Sequence, residues 1–524
     1  MPSLTFTELT FATPDGDPLV TDLTLSFGPG RHGLIGRNGC GKSTLLRCIA
    51  GAYPIASGRI STLGNVHLLR QDSGGRAVAD VAHALGLTAA LATLNRLLAG
   101  QGTLADADRA DWTLPDRAAA ALARVGLPDL SLTAPTTSLS GGERMRLALA
   151  AAHLSGADVL LMDEPTNNLD TPGRELVAEL IASHPGVVLV ASHDRALLDR
   201  MDRIIELDAP GGAVTVFGGG WSEFAIARAA RQARADAALA KADADLHRAG
   251  RDRQEARERQ ARRDRHGRAQ RGSQAKVLLN RQRERSEATA GRGARLSGNA
   301  VARAETARSA ARAEMAPRLP LRMILPPCDL PAMRRVLSVR GQVLRAGPHR
   351  IAAPELTLRG PERVAIVGAN GSGKSTFLRA LMALGTGGQG PGADPVPRAL
   401  LDQHVSLLGR EGTLIGAMRR RHPALDAEQA RAALARFGFR GAAGARPVTA
   451  LSGGERLRAG LALVFAAVPV PQLLILDEPT NHLDLAATEA LEQALRDYDG
   501  AIVLVSHDSR FRQAIGITRQ VAMG

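Results

Sequence analysis

Two nine-residue strings, GRNGCGKST at 36–44 and GANGSGKST at 368–376, carry the glycine, lysine and serine spacing of a phosphate-binding loop. The first comprises Gly36, Asn38, Gly39, Gly41, Lys42, Ser43 and Thr44, and the second Gly368, Asn370, Gly371, Gly373, Lys374, Ser375 and Thr376. Glycine lets backbone N–H groups approach phosphate oxygens, and a helix opening at the lysine presents its positive end to them. Lysine brings a compact charge on a flexible stem to the β- and γ-phosphates, which a planar guanidinium does not match. Of 66 basic residues only four are lysines, and two of those four stand here, so a chance match is untenable. Ser43 and Ser375 are expected to ligate Mg²⁺.

Asp163 and Asp477 close the apolar runs Val159–Met162 and Leu473–Leu476, and each is followed by Glu and Pro. An acid at a strand end can hold Mg²⁺. The next residue, Glu164 or Glu478, is placed to orient or deprotonate an attacking water. His193 and His507 each follow their aspartate by 30 residues, and that shared spacing predicts a γ-phosphate-sensing role rather than a structural one.

These residues belong to a repeat that spans the chain. LSGGER recurs at 139–144 and 451–456, DEPTN at 163–167 and 477–481, and SHD at 192–194 and 506–508. Gln71 and Gln403 each lie 29 residues after the loop lysine. The elements that must position them read as α/β in both halves, with buried parallel strands such as Val187–Val190 and Ile502–Val505 alternating with helices such as Glu143–Leu154. The expected architecture is therefore two tandem P-loop α/β domains, 1–224 and 317–524, joined by a long basic helical linker over 225–316. Ala225–Gln270 favours one long helix, with a break near Gly267–Ser273 that turns the chain back into a helical hairpin. Gln71 to Ser140 is 69 residues but Gln403 to Ser452 only 49, so the first domain should carry about 20 extra residues within about 80–115.

Charge is concentrated in that linker. Its 23 Arg/Lys against 11 Asp/Glu account for +12 of the chain's +14, leaving both domains nearly neutral. The densest cluster, Arg262, Arg263, Arg265, Arg268, Arg271, Lys276, Arg281, Arg283 and Arg285, is a candidate RNA contact. A solvated spacer is the bland alternative. With 44% hydrophobic and 23% charged residues in 524, the chain is expected to be globular throughout most of its length. Three cysteines, Cys40, Cys48 and Cys328, make no disulfide framework, and the N-terminus lacks a signal-peptide pattern, so a cytoplasmic protein is expected. The longest apolar run, Ala459–Leu476, is broken by Pro469 and Pro471 and reads as buried rather than membrane-spanning.

Together the phosphate loops, the glutamines, LSGGE, DEPTN and SHD resemble the ATP-binding cassette ATPases over both halves, about 430 residues. The duplicated cassettes, the basic linker and TNHLD at 480–484 resemble the ABC-F subfamily. The resemblance implies cassettes that face each other head to tail: one site pairs Gly36–Thr44 with Ser452, Gly453 and Gly454, and the other pairs Gly368–Thr376 with Ser140, Gly141 and Gly142. It implies ATP and Mg²⁺ as cofactors, with Gln71 and Gln403 joining Ser43, Asp163, Ser375 and Asp477 around the ion. It implies ATP-driven closure, release on hydrolysis, and binding to the ribosome (rRNA and tRNA) by a translation factor or an antibiotic-resistance protein. The extra residues of the first cassette occupy the place of a short arm. Phe11 either stacks on adenine or belongs to the core; the matching offset in the second half falls on Val343. Asn168 replaces the counterpart of His482. The expected assembly is a monomer with an intramolecular cassette pair and no obligate protein partner or membrane. A DNA-associated ATPase and the fused ATPase subunit of a transporter are the alternative readings.

Overall fold

The computed structural model describes residues 1, 3–13, 16–69, 80–167, 169–208, 213–269, 292, 295–312, 323–339, 341, 343–346, 349–383, 396–481 and 483–523. The apolar pentamers of each half form the middle of a parallel sheet, where every residue of Val159–Asp163, Val187–Ala191, Leu473–Asp477 and Ala501–Val505 is buried. β-branched and leucine side chains covered on both faces favour this state. In the first cassette the sheet runs Val66–Leu69, Val159–Asp163, Val187–Ala191, Gly30–Gly36, Arg203–Asp208, Ala213–Gly218, with the last pair antiparallel. In the second it runs Arg398–Leu401, Leu473–Asp477, Ala501–Val505, Arg363–Val367, Arg519–Ala522, all parallel. The register pairs Asp163 with Ala191 and Asp477 with Val505, which brings aspartate, glutamate and histidine to the same carboxyl edge as the phosphate loop.

The chain divides into two compact units, Met1–Ser222 with Pro320–Gly524, and Glu223–Leu319. Both cassettes thus form one unit. An antiparallel sheet of Pro18–Phe27, Ser3–Ala12 and Ser57–Leu63 covers the first cassette, and its Leu4, Phe6, Leu9 and Phe11 enter the core with no exposed surface. Between residue 80 and the signature Ser140, helices Val81–Ala84, Thr88–Leu98, Leu104–Arg109 and Leu114–Arg124 follow one another. The second cassette has Leu414–Arg421 and Ala427–Arg436 in that interval, so the length difference is taken up by helix. A capping box of Thr103 and Asp106 starts the third of the four helices, and Arg96 ties it to the second by a 2.6 Å bridge to Asp106.

The other unit holds most of the helix Trp221–Ala269, 49 residues long and so roughly 70 Å. Alanine, arginine and glutamate are strong helix formers, and Gly267 does not interrupt the run, which continues to Ala269. A helical stretch over 295–312 returns along it, joined by a 2.6 Å bridge from Arg308 to Asp243. Arg262 and Arg265 are exposed on the outgoing helix, which also carries Arg263 and Arg268. Arg271, Lys276, Arg281, Arg283 and Arg285 lie outside the described residues, as do Gln71, Asn168 and His482.

Candidate functional site

In each cassette the phosphate loop arches over its lysine. Lys42 Nζ donates to the carbonyls of Gly36 at 2.7 Å and Arg37 at 3.3 Å, and Lys374 Nζ to those of Gly368 at 2.9 Å and Ala369 at 2.8 Å. The helices Lys42–Ile49 and Lys374–Ala383 begin at these lysines, so their free N–H groups point into the loop. Gly41 turns into the first helix at φ 101°, and a Cβ there would stand 2.9 Å from Phe11 Cε2. Only glycine meets both demands. Ser43 Oγ donates to Asp163 Oδ1 at 3.0 Å, which brings two hard oxygen atoms together beside the loop.

Glu164 and Glu478 sit at φ 49° and 45°, a left-handed conformation that non-glycine residues rarely adopt. Each is pinned there by its own N–H, donated to Ala191 O at 2.8 Å and to Val505 O at 2.9 Å. Burial pushes the Glu164 carboxyl up to about 8, with the Lys42 charge opposing and Asp163 adding to the rise. Burial likewise pushes Glu478 up to about 7, against the nearby Arg174 charge. His193 Nε2 stands 3.3 Å from Glu164 Oε1, and His507 Nε2 3.6 Å from Glu478 Oε1. Burial and then Lys42 hold His193 well below the ordinary imidazole range; burial, Lys374 and Arg174 lower His507 to about 4. Burial also raises the Asp477 carboxyl and lowers the Lys374 ammonium.

The two signatures are helix starts. Ser140 and Ser452 cap the helices Gly141–Leu154 and Gly453–Phe465, and Glu143 and Glu455 complete a capping box in each. Each signature faces the other cassette's loop. A cavity of about 430 Å³ is lined by Lys42, Ser43, Asp163, Glu164 and His193 on one side and by Ser452 and Gly453 on the other. A second, of about 690 Å³, is lined by Lys374, Ser375, Gln403, Asp477, Glu478 and His507 together with Ser140, Gly141 and Gly142. Gly454 is buried and is not part of the first cavity's lining; a Cβ there would stand 3.6 Å from Leu483 and from Ala487. Asp484 caps its own helix through Ala487 N and accepts from Asn38 N at 3.1 Å across the cassette boundary; Asp170 meets Asn370 N at 3.5 Å in the same way.

Phe11 requires a correction to the stacking expectation. Its ring is fully buried beneath Gly41 and does not line the cavity, where Thr13 and Leu19 stand instead. Val343 is exposed, and the hollow of about 700 Å³ beside Gly371 and Thr376 is lined by Arg350, Pro354 and Met523. Asp170, Asp484 and Arg174 were not singled out from sequence. The two aspartates were detectable, since each follows the strand-end aspartate by seven residues in both halves; Arg174 was not, because its repeat position holds Thr488.

The fit to Mg²⁺ and ATP rests on orphaned polar atoms. Both ring nitrogens of His193 and Oε1 of Glu478 are buried without a hydrogen-bond partner among the described residues, at the place where a terminal phosphate and its water would supply one. No group of three or more His, Cys, Asp or Glu side chains among the described residues could hold a metal alone. Serine, aspartate and phosphate oxygens would have to share it, as Mg²⁺ prefers.

Residues 20–167 and 352–481 match the family described as ABC transporter. The chain is 34% identical to the tylosin resistance ATP-binding protein TlrC of Streptomyces fradiae, over 95% of this chain and 93% of that one. It is 30% identical to the energy-dependent translational throttle protein EttA of Mycobacterium tuberculosis, over 95% of this chain and 87% of that one. It is 30% identical to the ATP-binding cassette sub-family F member 3 of Rattus norvegicus, over 94% and 67%. A crystal structure of archaeal ribosome recycling factor aABCE1 with ribosomal stalk protein aP1 shares the fold, with a TM-score of 0.58 at 17% identity over 98% of this chain and 87% of that one. Among the described residues no helix is long and apolar enough to cross a membrane. The chain therefore belongs to the ABC-F subfamily of ATP-binding cassette ATPases, with both cassettes in one polypeptide.

Proposed function

We propose that this ATPase works on translation in the cytoplasm, with ATP and Mg²⁺ closing the cassettes in a ribosome-bound state and hydrolysis releasing it. The observation that carries the reading is the composite nature of both cavities, each assembled from one cassette's phosphate loop and the other's signature. Such a site binds nucleotide fully only when the cassettes are closed, so binding energy becomes closure. In each site the loop N–H groups and lysine would hold the phosphates, and Ser43 with Asp163 and Gln71, or Ser375 with Asp477 and Gln403, would hold Mg²⁺, which neutralises phosphate charge. Glu164 or Glu478 takes the proton of the attacking water, and His193 or His507 contacts the terminal phosphate. Burial that raises the carboxyl pKa makes each glutamate a stronger base once ionised. The first cassette would comprise 1–224, with its short helical arm, and the second 317–524.

Two relatives, a translational throttle protein and a tylosin resistance protein, support a role in translation. The linker 225–316 supplies +12 and would meet rRNA or tRNA phosphates. The test is sucrose-gradient co-sedimentation of the Glu164→Gln, Glu478→Gln double variant with ribosomes. Co-sedimentation is expected with ATP and not without it. Protein that stays at the top of the gradient in both conditions overturns the ribosomal part of the reading.

A further inference from the structure

The two nucleotide sites differ in charge. Arg174 lies four residues beyond Asp170, on the helix Thr171–Ser183, and lines both cavities. Its repeat counterpart Thr488 is buried, donates to Asp484 O at 3.0 Å, and brings no charge. The guanidinium of Arg174 is fixed from within the first cassette, with Nε donating to Leu169 O at 3.3 Å and Nη1 to Asp194 Oδ2 at 2.8 Å. Asp194 lines the first cavity beside it and offsets the charge there. In the second cavity Arg174 shares the lining with Glu478 and His507 of the other cassette.

We propose that Arg174 of the first cassette serves the second nucleotide site in trans, as a fixed cation that stabilises negative charge developing at the terminal phosphate during hydrolysis. In that step water adds to the terminal phosphorus, its proton passes to Glu478, and the bridging oxygen leaves with ADP. Arg174 exchanges no proton and acts through its charge alone. An arginine supplied across an interface is a general solution for phosphoryl transfer, because charge spreads over the equatorial oxygens in the transition state. The first site has no such residue at the matching position, and Arg174, where it lines that cavity, is paired with Asp194, so the first site should depend on Arg174 less than the second does.

The inference rests on the assignment of Glu164 and Glu478 as the two water-activating residues, and its test separates the two. Each site is read in the full-length chain by vanadate trapping of a photoreactive ATP analogue, with the labelled peptides located by mass spectrometry. Arg174→Gln should cut trapping at Lys374–Thr376 by about tenfold or more, a modest share of the 10³- to 10⁵-fold known for arginines acting in trans. Trapping at Lys42–Thr44 should fall by clearly less than that, and Arg174→Lys, which keeps the charge but not the two-point hold of the guanidinium, should restore part of the second-site signal. In the Glu164→Gln background, where the second site turns over, Arg174→Gln should lower kcat and leave KM for ATP nearly unchanged. Equal losses at the two sites, no loss at the second, or failure of lysine to rescue a folded protein would overturn the proposal. Wild-type turnover in both single glutamate variants would instead remove the assignment beneath it, and the proposal with it.

Discussion

Glu164 and Glu478 are held in a backbone conformation that costs on the order of 1–3 kcal/mol for a non-glycine residue. The strain persists because the sheet's last hydrogen bond, to Ala191 or Val505, leaves the backbone no other course. It aims each carboxylate into its cavity beside a histidine. Replacing both glutamates with glutamine keeps shape and backbone, so ATP binding should survive while turnover falls roughly 10²- to 10⁴-fold. Steady-state phosphate release checks this, and a loss smaller than about threefold would refute their assignment. Phe11 offers a second test at this scale. Phe11→Leu should cost about 1–3 kcal/mol of stability, read by thermal unfolding, because the ring fills the core beneath Gly41. ATP affinity of the first site should stay within about threefold; a ring that stacked on adenine would contribute roughly 1–3 kcal/mol to binding, as base–aromatic stacking does.

Among the described elements, the linker helix Trp221–Ala269 carries a surface charge that packing does not explain. Its residues favour helix individually, and its apolar positions are mostly alanine, so it projects charge rather than burying area. If the arginines meet RNA phosphates, each contact releases counterions and steepens the salt dependence by roughly 0.7–0.9 in a log–log plot. Changing Arg263, Arg265, Arg268 and Arg271 to glutamine should therefore flatten the slope for ribosome binding by about 2–4. ATPase activity without ribosomes should be retained, since the candidate active-site residues all lie in the cassettes. An unchanged slope, measured on the ATP-bound double glutamine variant across salt concentrations, would make the hairpin a spacer.

The two cassettes also meet through charge away from the nucleotide cavities. Arg195 of the first is ion-paired with Glu492 of the second, both under 10% exposed, and Asp508 lies 3.7 Å from the same guanidinium. Arg510 of the second cassette reaches Asp199 of the first. The repeat positions that match Arg195 and Glu492 hold Ser509 and Ala178, so this buried pair occurs on one side of the pseudo-twofold only. Removing one member of a buried pair strands the other, at roughly 3–5 kcal/mol, whereas removing both can be nearly neutral. Glu492→Ala alone should lower the unfolding midpoint strongly, and Arg195→Ser with Glu492→Ala should recover most of it. A double variant as unstable as the single would show that the pair is not coupled in this way.

The duplicated α/β architecture, both phosphate loops and the strand-end acids were legible in the sequence because each depends on local spacing repeated in both halves. Lys42 and Lys374, or Glu164 and Glu478, are positioned by the backbone immediately around them, and a glycine pattern or an apolar pentamer states that backbone directly. The long linker helix was legible for the same reason, from its composition. What the repeat could not state was anything that breaks it. Arg174 and Arg195 look like two more arginines in an arginine-rich chain, and their partners lie 20 and 297 residues away. Phe11 had the right offset for stacking, yet burial is decided by which face of a twisted, bulged strand turns inward, and its pairing with Pro18–Phe27 shifts register on both sides of Phe11. Motifs record what each cassette must do alone; the charge that one cassette lends the other exists only once the two surfaces have met.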